Sequence, residues 1–96
     1  MPELYQVVVS AEARKSVRRL PKEVNAAVVA ALVGLALEPR AGKSLVGELR
    51  GLWSLRRGDY RVLYRINDDT KRVEVACIGH RRDVYRHKAQ KAQLGD

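Results

Sequence analysis

Two arginine-rich segments hold the residues whose types and spacing are best suited to chemistry. They are residues 56–65, with the sequence RRGDYRVLYR, and residues 79–86, with the sequence GHRRDVYR. Because successive side chains of a strand point to opposite faces, Arg61 and Arg65 are expected to share one strand face. An arginine keeps its charge and engages phosphate oxygens in pairs. These segments therefore indicate a surface that holds a phosphodiester backbone.

Cleavage of RNA by its own 2′-hydroxyl is the reaction that such a surface could assist. The reaction needs a base for the hydroxyl proton, cations for the charge that grows on the phosphate oxygens, and an acid for the leaving 5′-oxygen. Arginine suits the second task, whereas histidine or glutamate usually performs the other two. The chain has His80 and His87, and Tyr85 could act as a base if neighbouring arginines stabilised its phenolate. The residue types alone leave these alternatives open.

The sequence lacks the signatures of several other chemistries. It has no phosphate-binding glycine loop, no nucleophile elbow and no His/Glu metal cluster. Asp68 and Asp69 are adjacent in a predicted turn, which explains them better than a magnesium site does. The single cysteine, Cys77, excludes an internal disulfide and a zinc site built from cysteines. We expect neither a metal nor another cofactor.

The net charge of the chain favours a polyanionic partner. The 96 residues include 19 Lys and Arg against 11 Asp and Glu, which gives a net charge of +8. Residues 49–96 hold twelve basic and six acidic side chains, and residues 1–48 hold seven and five. A chain of this length predicts one domain, covering residues 1–96. No segment reads as a membrane span or a signal peptide, so we expect a cytoplasmic protein without a membrane partner.

The hydrophobic pattern predicts one strand, two helices and three further strands. Ser10 is the expected N-cap of the first helix, and Pro21 separates the two helices. Gly58 and Asp59 form a two-residue hairpin signal between two strands. The predicted elements are a strand at residues 5–9, helices at residues 10–20 and 22–37, a surface loop at residues 40–48, and strands at residues 52–57, 60–67 and 72–78.

These elements predict an α+β fold. An N-terminal strand and a helix hairpin are expected to pack on a twisted, mostly antiparallel four-stranded sheet, followed by a C-terminal helix from about Val84. The helix hairpin needs an apolar sheet face, so Arg61 and Arg65 should line the opposite, open face. Strand alternation places Trp53 toward the core and Arg56 on the face of the other arginines.

Two segments of the sequence carry a family resemblance: residues 49–64, with the sequence LRGLWSLRRGDYRVLY, and residues 79–85, with the sequence GHRRDVY. They resemble the RelE family of toxin–antitoxin toxins, within the RelE/ParE superfamily. The resemblance extends to the opening strand and the helix junction around Pro21, and it covers most of the chain. It implies the RelE fold and a toxin that cuts messenger RNA in the ribosomal A site by attack of the 2′-hydroxyl.

The resemblance also implies roles for individual residues. Arg61 matches a phosphate-contacting arginine, Arg81 a basic residue that stabilises charge, and Tyr85 a tyrosine that stacks on the substrate base; these three form the expected catalytic set. At the position of Ser54, well-known active members carry a lysine or arginine. The other residues that we expect to bind RNA are basic and lie near the same face: Lys43, Arg56, Arg57, Arg65, His80 and Arg82.

The implied partners are the messenger RNA, the 70S ribosome and a cognate antitoxin protein, with operator DNA contacted only through the antitoxin. A ParE-like inhibitor that binds DNA gyrase without cleaving RNA shares this fold. A catalytically weak module that binds RNA or the ribosome is a further alternative. Arg81 and Tyr85 together favour the ribonuclease, because a gyrase block needs neither.

Overall fold

The computed structural model describes residues 3–84 of the chain. Its helices and strands follow in the order β1 (Gln6–Val9), α1 (Ala11–Arg19), α2 (Lys22–Leu35), β2 (Lys43–Ser44), β3 (Trp53–Arg57), β4 (Tyr60–Asn67) and β5 (Arg72–His80). Two short 3₁₀ helices, Pro39–Ala41 and Gly47–Leu49, flank β2. Residues 81–84 are helical, and the rest of the predicted C-terminal helix lies outside the described residues.

The strands form one sheet in the order β1-β5-β4-β3-β2. β1 runs parallel to β5, and the other neighbours are antiparallel, so the α+β class and the mostly antiparallel sheet are confirmed. The predicted strand number is wrong, because the sheet has five strands. Lys43 and Ser44, within the predicted loop, pair with Ser54 and Trp53. A two-residue strand is too short to leave a period-2 pattern in the sequence.

Local sequence signals explain the helix hairpin. Ser10 is the N-cap of α1, and its hydroxyl oxygen accepts a hydrogen bond from the Ala13 amide at 3.1 Å. Pro21 separates α1 from α2, as predicted. The Asn25 side-chain amide donates to the Val17 carbonyl at 2.8 Å, which ties the start of α2 to α1. The two helices are thereby held together on one face of the sheet.

The main core lies between the helix hairpin and that sheet face. It consists of buried apolar residues from both layers: Ala13, Val28, Ala31, Leu35, Leu55, Val62, Tyr64, Val73, Val75 and Ile78. Trp53 packs against this core, and its ring stacks on Tyr64 with a centroid distance of 6.5 Å, which confirms its predicted inward position. The core fixes which face of β3, β4 and β5 points away from the helices.

A smaller cluster covers part of the opposite sheet face. Leu63, Cys77 and Val84 are buried there, and Leu45 packs against them. Strict alternation would place Cys77 on the same sheet face as Val75, which lies in the main core. The register between β4 and β5 shifts after Leu63, and this shift turns Cys77 to the opposite face while Ile78 faces the main core. The Cys77 thiol donates to Glu12 Oε2 at 3.3 Å. The face that the sequence predicts to be open therefore carries an apolar centre.

A hydrogen-bonded corner joins the loop before β2 to β4. The buried Tyr64 hydroxyl donates to the Pro39 carbonyl at 2.7 Å and accepts from the Gly42 amide at 3.1 Å. Burial raises the pKa of the Tyr64 hydroxyl above its usual value. The corner holds β2 beside β3, where β2 is the edge strand of the sheet.

Replacing Tyr64 with phenylalanine should lower the free energy of unfolding by about 1–3 kcal/mol, because two backbone groups lose their partner. The raised pKa adds a pH dependence: the contribution of the neutral hydroxyl is complete below pH 10 and is lost as the pH rises through the folded-state pKa. Urea denaturation between pH 7 and pH 11 measures both effects. If the free energy of unfolding of the Tyr64→Phe variant fell above pH 10 as steeply as that of the wild type, the predicted pH dependence would be contradicted.

Asp68, in the predicted turn, has structural partners elsewhere in the chain. These partners support a structural role for Asp68 over a role in a magnesium site. Its carboxylate accepts hydrogen bonds from Arg40 at 2.6 Å and from the Tyr5 hydroxyl at 2.5 Å. The hydrogen bond from Arg40 is the main cause of the lowered pKa of Asp68. Within residues 3–84, neither helix combines the length and apolar character needed to cross a membrane.

Candidate functional site

A pair of arginines faces each other across the β3–β4 hairpin. Arg56 and Arg61 are directly opposite in the register, on the sheet face away from the helices. Both side chains donate to one backbone oxygen: Arg56 Nε lies 3.2 Å and Arg61 Nη1 3.1 Å from the Gly58 carbonyl oxygen. Gly58 has a φ of 60°, as the first central residue of a type II′ turn requires. The turn thus orients two guanidinium groups side by side.

The electrostatics of this pair suit an anion. Like charges directly opposite on neighbouring strands repel each other. Neither Arg56 nor Arg61 forms an ion pair with a carboxylate of residues 3–84. A guanidinium carries five N–H donors, and the bonds to backbone carbonyls use Nε of Arg56 and Nη1 of Arg61, so most donors remain available. The pair can therefore bind the non-bridging oxygens of a phosphate.

The backbone of Arg81 lies next to the same turn. Its backbone amide donates to the Asp59 carbonyl at 2.8 Å, and Gly79, two residues earlier, is the register partner of Arg61. Arg81 itself is exposed. The structure thus places the paired side chains of Arg56 and Arg61 and the backbone of Arg81 at one hairpin, while Tyr85, the third predicted catalytic residue, lies outside the described residues. We call Arg56, Arg61 and Arg81 the arginine site.

Three other predicted RNA-binding residues lie elsewhere at this end of the sheet. Arg57 and His80 are the register partners of Tyr60 on its two sides. Tyr60 shares the strand face of Val62 in the main core, so Arg57 and His80 lie on the helix side rather than on the face of Arg61. The His80 ring contacts Tyr60 edge-on with a centroid distance of 5.7 Å, and its Nδ1 accepts from the Arg82 amide at 3.3 Å. Arg82 is exposed. The structure therefore does not bring His80 to the arginine site as a base.

Lys43 and Arg65 lie on the sheet face that carries Arg56 and Arg61, away from the helices, which we call the arginine face, but they lie apart from the arginine site. Lys43 pairs with Ser54 at the β2 edge. Arg65 is four residues from Arg61 along β4, about 13 Å in an extended strand, and Glu74 is opposite it. The buried Leu63 of the small cluster lies between the two arginines. A nucleic-acid strand bound at the arginine site would have to pass over this apolar centre to reach Arg65.

Ser54 is buried, with 7% of its surface exposed, and lies between Lys43 and Leu63 in the sheet. Ser54→Lys should lower the free energy of unfolding by about 2 kcal/mol or more, because it buries a charge opposite Lys43. Urea denaturation checks this, and removing the opposing charge with Lys43→Ala should recover part of the loss. Unchanged stability in Ser54→Lys would mean that the new side chain reaches solvent.

The shared carbonyl of Gly58 is the site feature that residue types did not predict. A backbone acceptor has no side-chain signature, and the Gly58-Asp59 pair signals only a turn. The direct opposition of Arg56 and Arg61 could have been predicted, because a two-residue hairpin fixes the register.

Comparisons with known proteins assign the family of the chain. Residues 7–85 match the family model described as ParE toxin of type II toxin–antitoxin system, parDE. This chain belongs to the RelE/ParE family of toxins. It is 45% identical over 84 residues to Toxin RelG of Mycobacterium tuberculosis, a match that covers 85% of this chain and 97% of that protein. Toxin RelE of the same organism is 44% identical over 84 residues, with coverages of 85% and 87%.

A solved structure of this family shares the fold. The toxin–antitoxin complex RelBE2 from Mycobacterium tuberculosis contains a chain that is 42% identical and superposes with a TM-score of 0.77. The match covers 86% of this chain and 98% of that chain. The predicted RelE-like fold and family membership are therefore confirmed.

Proposed function

We propose that this RelE/ParE family member is a ribosome-dependent mRNA interferase, a toxin that cuts messenger RNA in the ribosomal A site. The observation that carries the proposal is the pair of Arg56 and Arg61, held by one carbonyl and without an acidic partner in residues 3–84. Such a pair is suited to charge that develops on a phosphate. Relatives named Toxin RelG and Toxin RelE support the toxin part of the proposal, and the RelE resemblance of the sequence implies the cleavage.

In the proposed reaction, the 2′-hydroxyl oxygen of a nucleotide attacks the adjacent phosphorus. A new O2′–P bond forms, the P–O5′ bond breaks, and the product carries a 2′,3′-cyclic phosphate. The 2′-hydroxyl loses its proton to a base, and the leaving 5′-oxygen gains one. Arg56 and Arg61 would neutralise the equatorial oxygens of the phosphorane, and Arg81 would stabilise charge on the leaving oxygen. The reaction uses cationic side chains in place of a metal ion.

Proton transfer is proposed to involve Tyr85, which the resemblance implies as the stacking tyrosine and which follows Arg81 by four residues. Its acidity would depend on the arginines of the site, since nearby positive charge favours a phenolate. Ribosome dependence fits this arrangement: a site that offers charge but few groups for proton transfer gains most when the substrate is held in the reactive geometry.

A cognate antitoxin is the proposed protein partner. The RelBE2 structure is a toxin–antitoxin complex, and its toxin-like chain shares the fold of this protein. An antitoxin would neutralise the toxin by covering basic residues, and contact with operator DNA would occur only through the antitoxin. Because the substrate is ribosome-bound messenger RNA, the proposed compartment is the cytoplasm.

Inhibition of DNA gyrase without RNA cleavage is the second candidate. The description of the matching family model, ParE toxin, favours it. The third candidate is a module that binds RNA or the ribosome with weak catalysis, and the buried Ser54 at a position where active family members carry a basic residue favours it.

Parallel assays of translation and supercoiling separate these candidates. Purified protein is added to a reconstituted translation reaction and, separately, to a gyrase supercoiling reaction. We expect translation of the reporter to stop while gyrase remains active, and Arg61→Ala to relieve the translation block. Inhibited gyrase with intact translation would replace the proposal with the gyrase candidate. No effect in either reaction would leave the binding module.

A further inference from the structure

Helix α2 exposes an apolar surface on the side that faces away from the core. Val28, Ala31 and Leu35 of this helix are buried in the main core. No charged residue occurs between Glu23 and Glu38, so the outward side of α2 carries no charge over this length. Exposed apolar surfaces of this kind mark sites of association, because covering them removes apolar area from water. Four exposed residues form the centre of this surface, and we call them the α2 seam: Ala26, Ala30, Val33 and Leu37.

The spacing of the α2 seam is that of a helix-pairing surface. Its residues are separated by four, three and four positions, which is the a/d spacing of coiled coils. This spacing keeps the four side chains within a narrow stripe along one side of the helix. Alanines occupy its N-terminal half, and Val33 and Leu37 occupy its C-terminal half, with exposures of 69% and 56%. The seam is therefore suited to packing against another helix.

The order of small and large residues makes the α2 seam complementary to itself. In an antiparallel pair of α2 helices, Ala30 of one copy is level with Val33 of the other, and Ala26 is level with Leu37. Each layer of the contact then combines a small side chain with a large one, which fills the space between the helices evenly. A two-fold axis generates both halves of such a contact from one surface. The pattern therefore favours a second copy of this chain as the partner.

The charges around α2 allow two copies to approach each other. The chain has a net charge of +8, but residues 21–48 hold three basic and three acidic side chains. The excess positive charge, which would keep two copies apart, therefore lies in the rest of the chain. Lys22 and Glu38 flank the seam, and the antiparallel arrangement brings Lys22 of each copy to the end that carries Glu38 of the other. The seam itself offers no cation to a nucleic acid.

We propose that two copies of this protein associate through the α2 seam in an antiparallel, two-fold symmetric dimer. Helix α2 has 14 residues, and a contact about 21 Å long and about 10 Å wide covers less than the roughly 800 Å² per partner of a standard interface. The dimer is therefore expected to be weak, with a Kd of about 10–100 µM. Because α2 packs on the sheet face opposite Arg61, the dimer leaves Arg56 and Arg61 of both copies uncovered. The inference does not depend on the proposed function.

Sedimentation equilibrium between about 1 and 500 µM protein measures the association and brackets the expected Kd. We expect the average mass of the wild type to rise with concentration from that of one chain toward that of two. Val33→Glu should raise the Kd at least about tenfold, because it places the carboxylates of both copies beside the two-fold axis in an apolar contact. The control is the same substitution at another exposed valine, Val46→Glu, in the loop between β2 and β3, and its Kd should match that of the wild type. Both valines are exposed, so both variants should remain folded.

Disulfide cross-linking tests the orientation of the two helices. Ala26→Cys and Leu37→Cys are purified separately, and each is oxidised alone and in an equal mixture of the two. In the antiparallel dimer, two copies of the same position are eleven residues apart along the helices, about 16 Å, which is too far for a disulfide. Position 26 of one copy is level with position 37 of the other, so we expect a cross-linked dimer only in the mixture. The natural Cys77 is buried and is common to both variants, so it does not distinguish them.

A wild type that keeps the mass of one chain up to about 500 µM would overturn the inference. Val33→Glu with the same Kd as Val46→Glu would also overturn it, because the contact would then lie elsewhere. Cross-linking of Ala26→Cys alone, as efficient as in the mixture, would contradict the antiparallel arrangement. If the wild type is monomeric and Val33→Glu weakens binding of a co-expressed antitoxin, the α2 seam is an antitoxin-binding surface and the dimer is wrong.

Discussion

Replacing Arg61 with alanine is expected to lower the single-turnover rate of ribosome-dependent cleavage by about 10²–10³-fold, which is the usual effect of removing one preorganised donor from a developing oxyanion. The Arg61 guanidinium is held in place by the carbonyls of Gly58 and Tyr60 and faces Arg56 directly. The loss should appear in the rate at saturating ribosome rather than in affinity, because the charge that Arg61 stabilises grows in the transition state.

The fold should tolerate this change. Arg61 donates only to exposed or partly buried backbone carbonyls, and removing one of two opposed cations relieves repulsion. The matched control is Arg72→Ala, at the far end of β5, where Arg72 pairs with Asn67 rather than with the arginine site. It should cleave at nearly the wild-type rate. A folded Arg61→Ala protein that cleaves as fast as the control would contradict the assignment of Arg61.

Replacing Gly42 with alanine is expected to destabilise the protein by about 3 kcal/mol or more, a large share of the stability of a domain of this size. A Cβ at this position would lie 2.6 Å from the Ser54 carbonyl oxygen and 2.7 Å from the Tyr64 hydroxyl. The first contact is with the backbone of β3 and the second with a buried side chain, so neither can move easily. The substitution would also disturb the hydrogen bond from the Gly42 amide to Tyr64.

Gly34→Ala provides the comparison for this prediction. Gly34 lies within α2, and a Cβ there would meet nothing within 4 Å. Because alanine favours a helix over glycine, this variant should gain up to about 1 kcal/mol. Urea denaturation of both variants at pH 7 gives the two values. A Gly42→Ala protein as stable as the wild type would show that the Tyr64 corner is not tightly packed.

Elements with strong local signals could be predicted from the sequence. Ser10 caps α1, Pro21 separates the helices, and the Gly58-Asp59 turn joins β3 to β4. Each signal acts through a few neighbouring residues, so it survives in any tertiary context. The prediction that Arg61 lies on the sheet face away from the helices also holds, because successive side chains of β4 alternate between the two faces and Val62 lies in the main core.

Features that depend on pairing between distant residues could not be predicted. The β2 strand exists because Lys43 and Ser44 meet β3, and β5 extends to His80 because Gly79 and His80 pair with β4. That extension puts His80 in the strand, on the helix side. The register shift after Leu63 likewise moves Cys77 to the arginine face. Periodicity cannot reveal such a shift, since it depends on the partner strand.

Primer extension on a reporter messenger RNA, with and without programmed 70S ribosomes, tests the central claim most directly. We predict cuts within A-site codons that require the ribosome, a 2′,3′-cyclic phosphate at the new end, and cuts that form about 10²–10³-fold more slowly with Arg61→Ala. Cuts on naked RNA at equal rate would contradict ribosome dependence. The absence of cuts in both conditions, from a folded wild-type protein, would contradict the claim that this arginine site cleaves RNA.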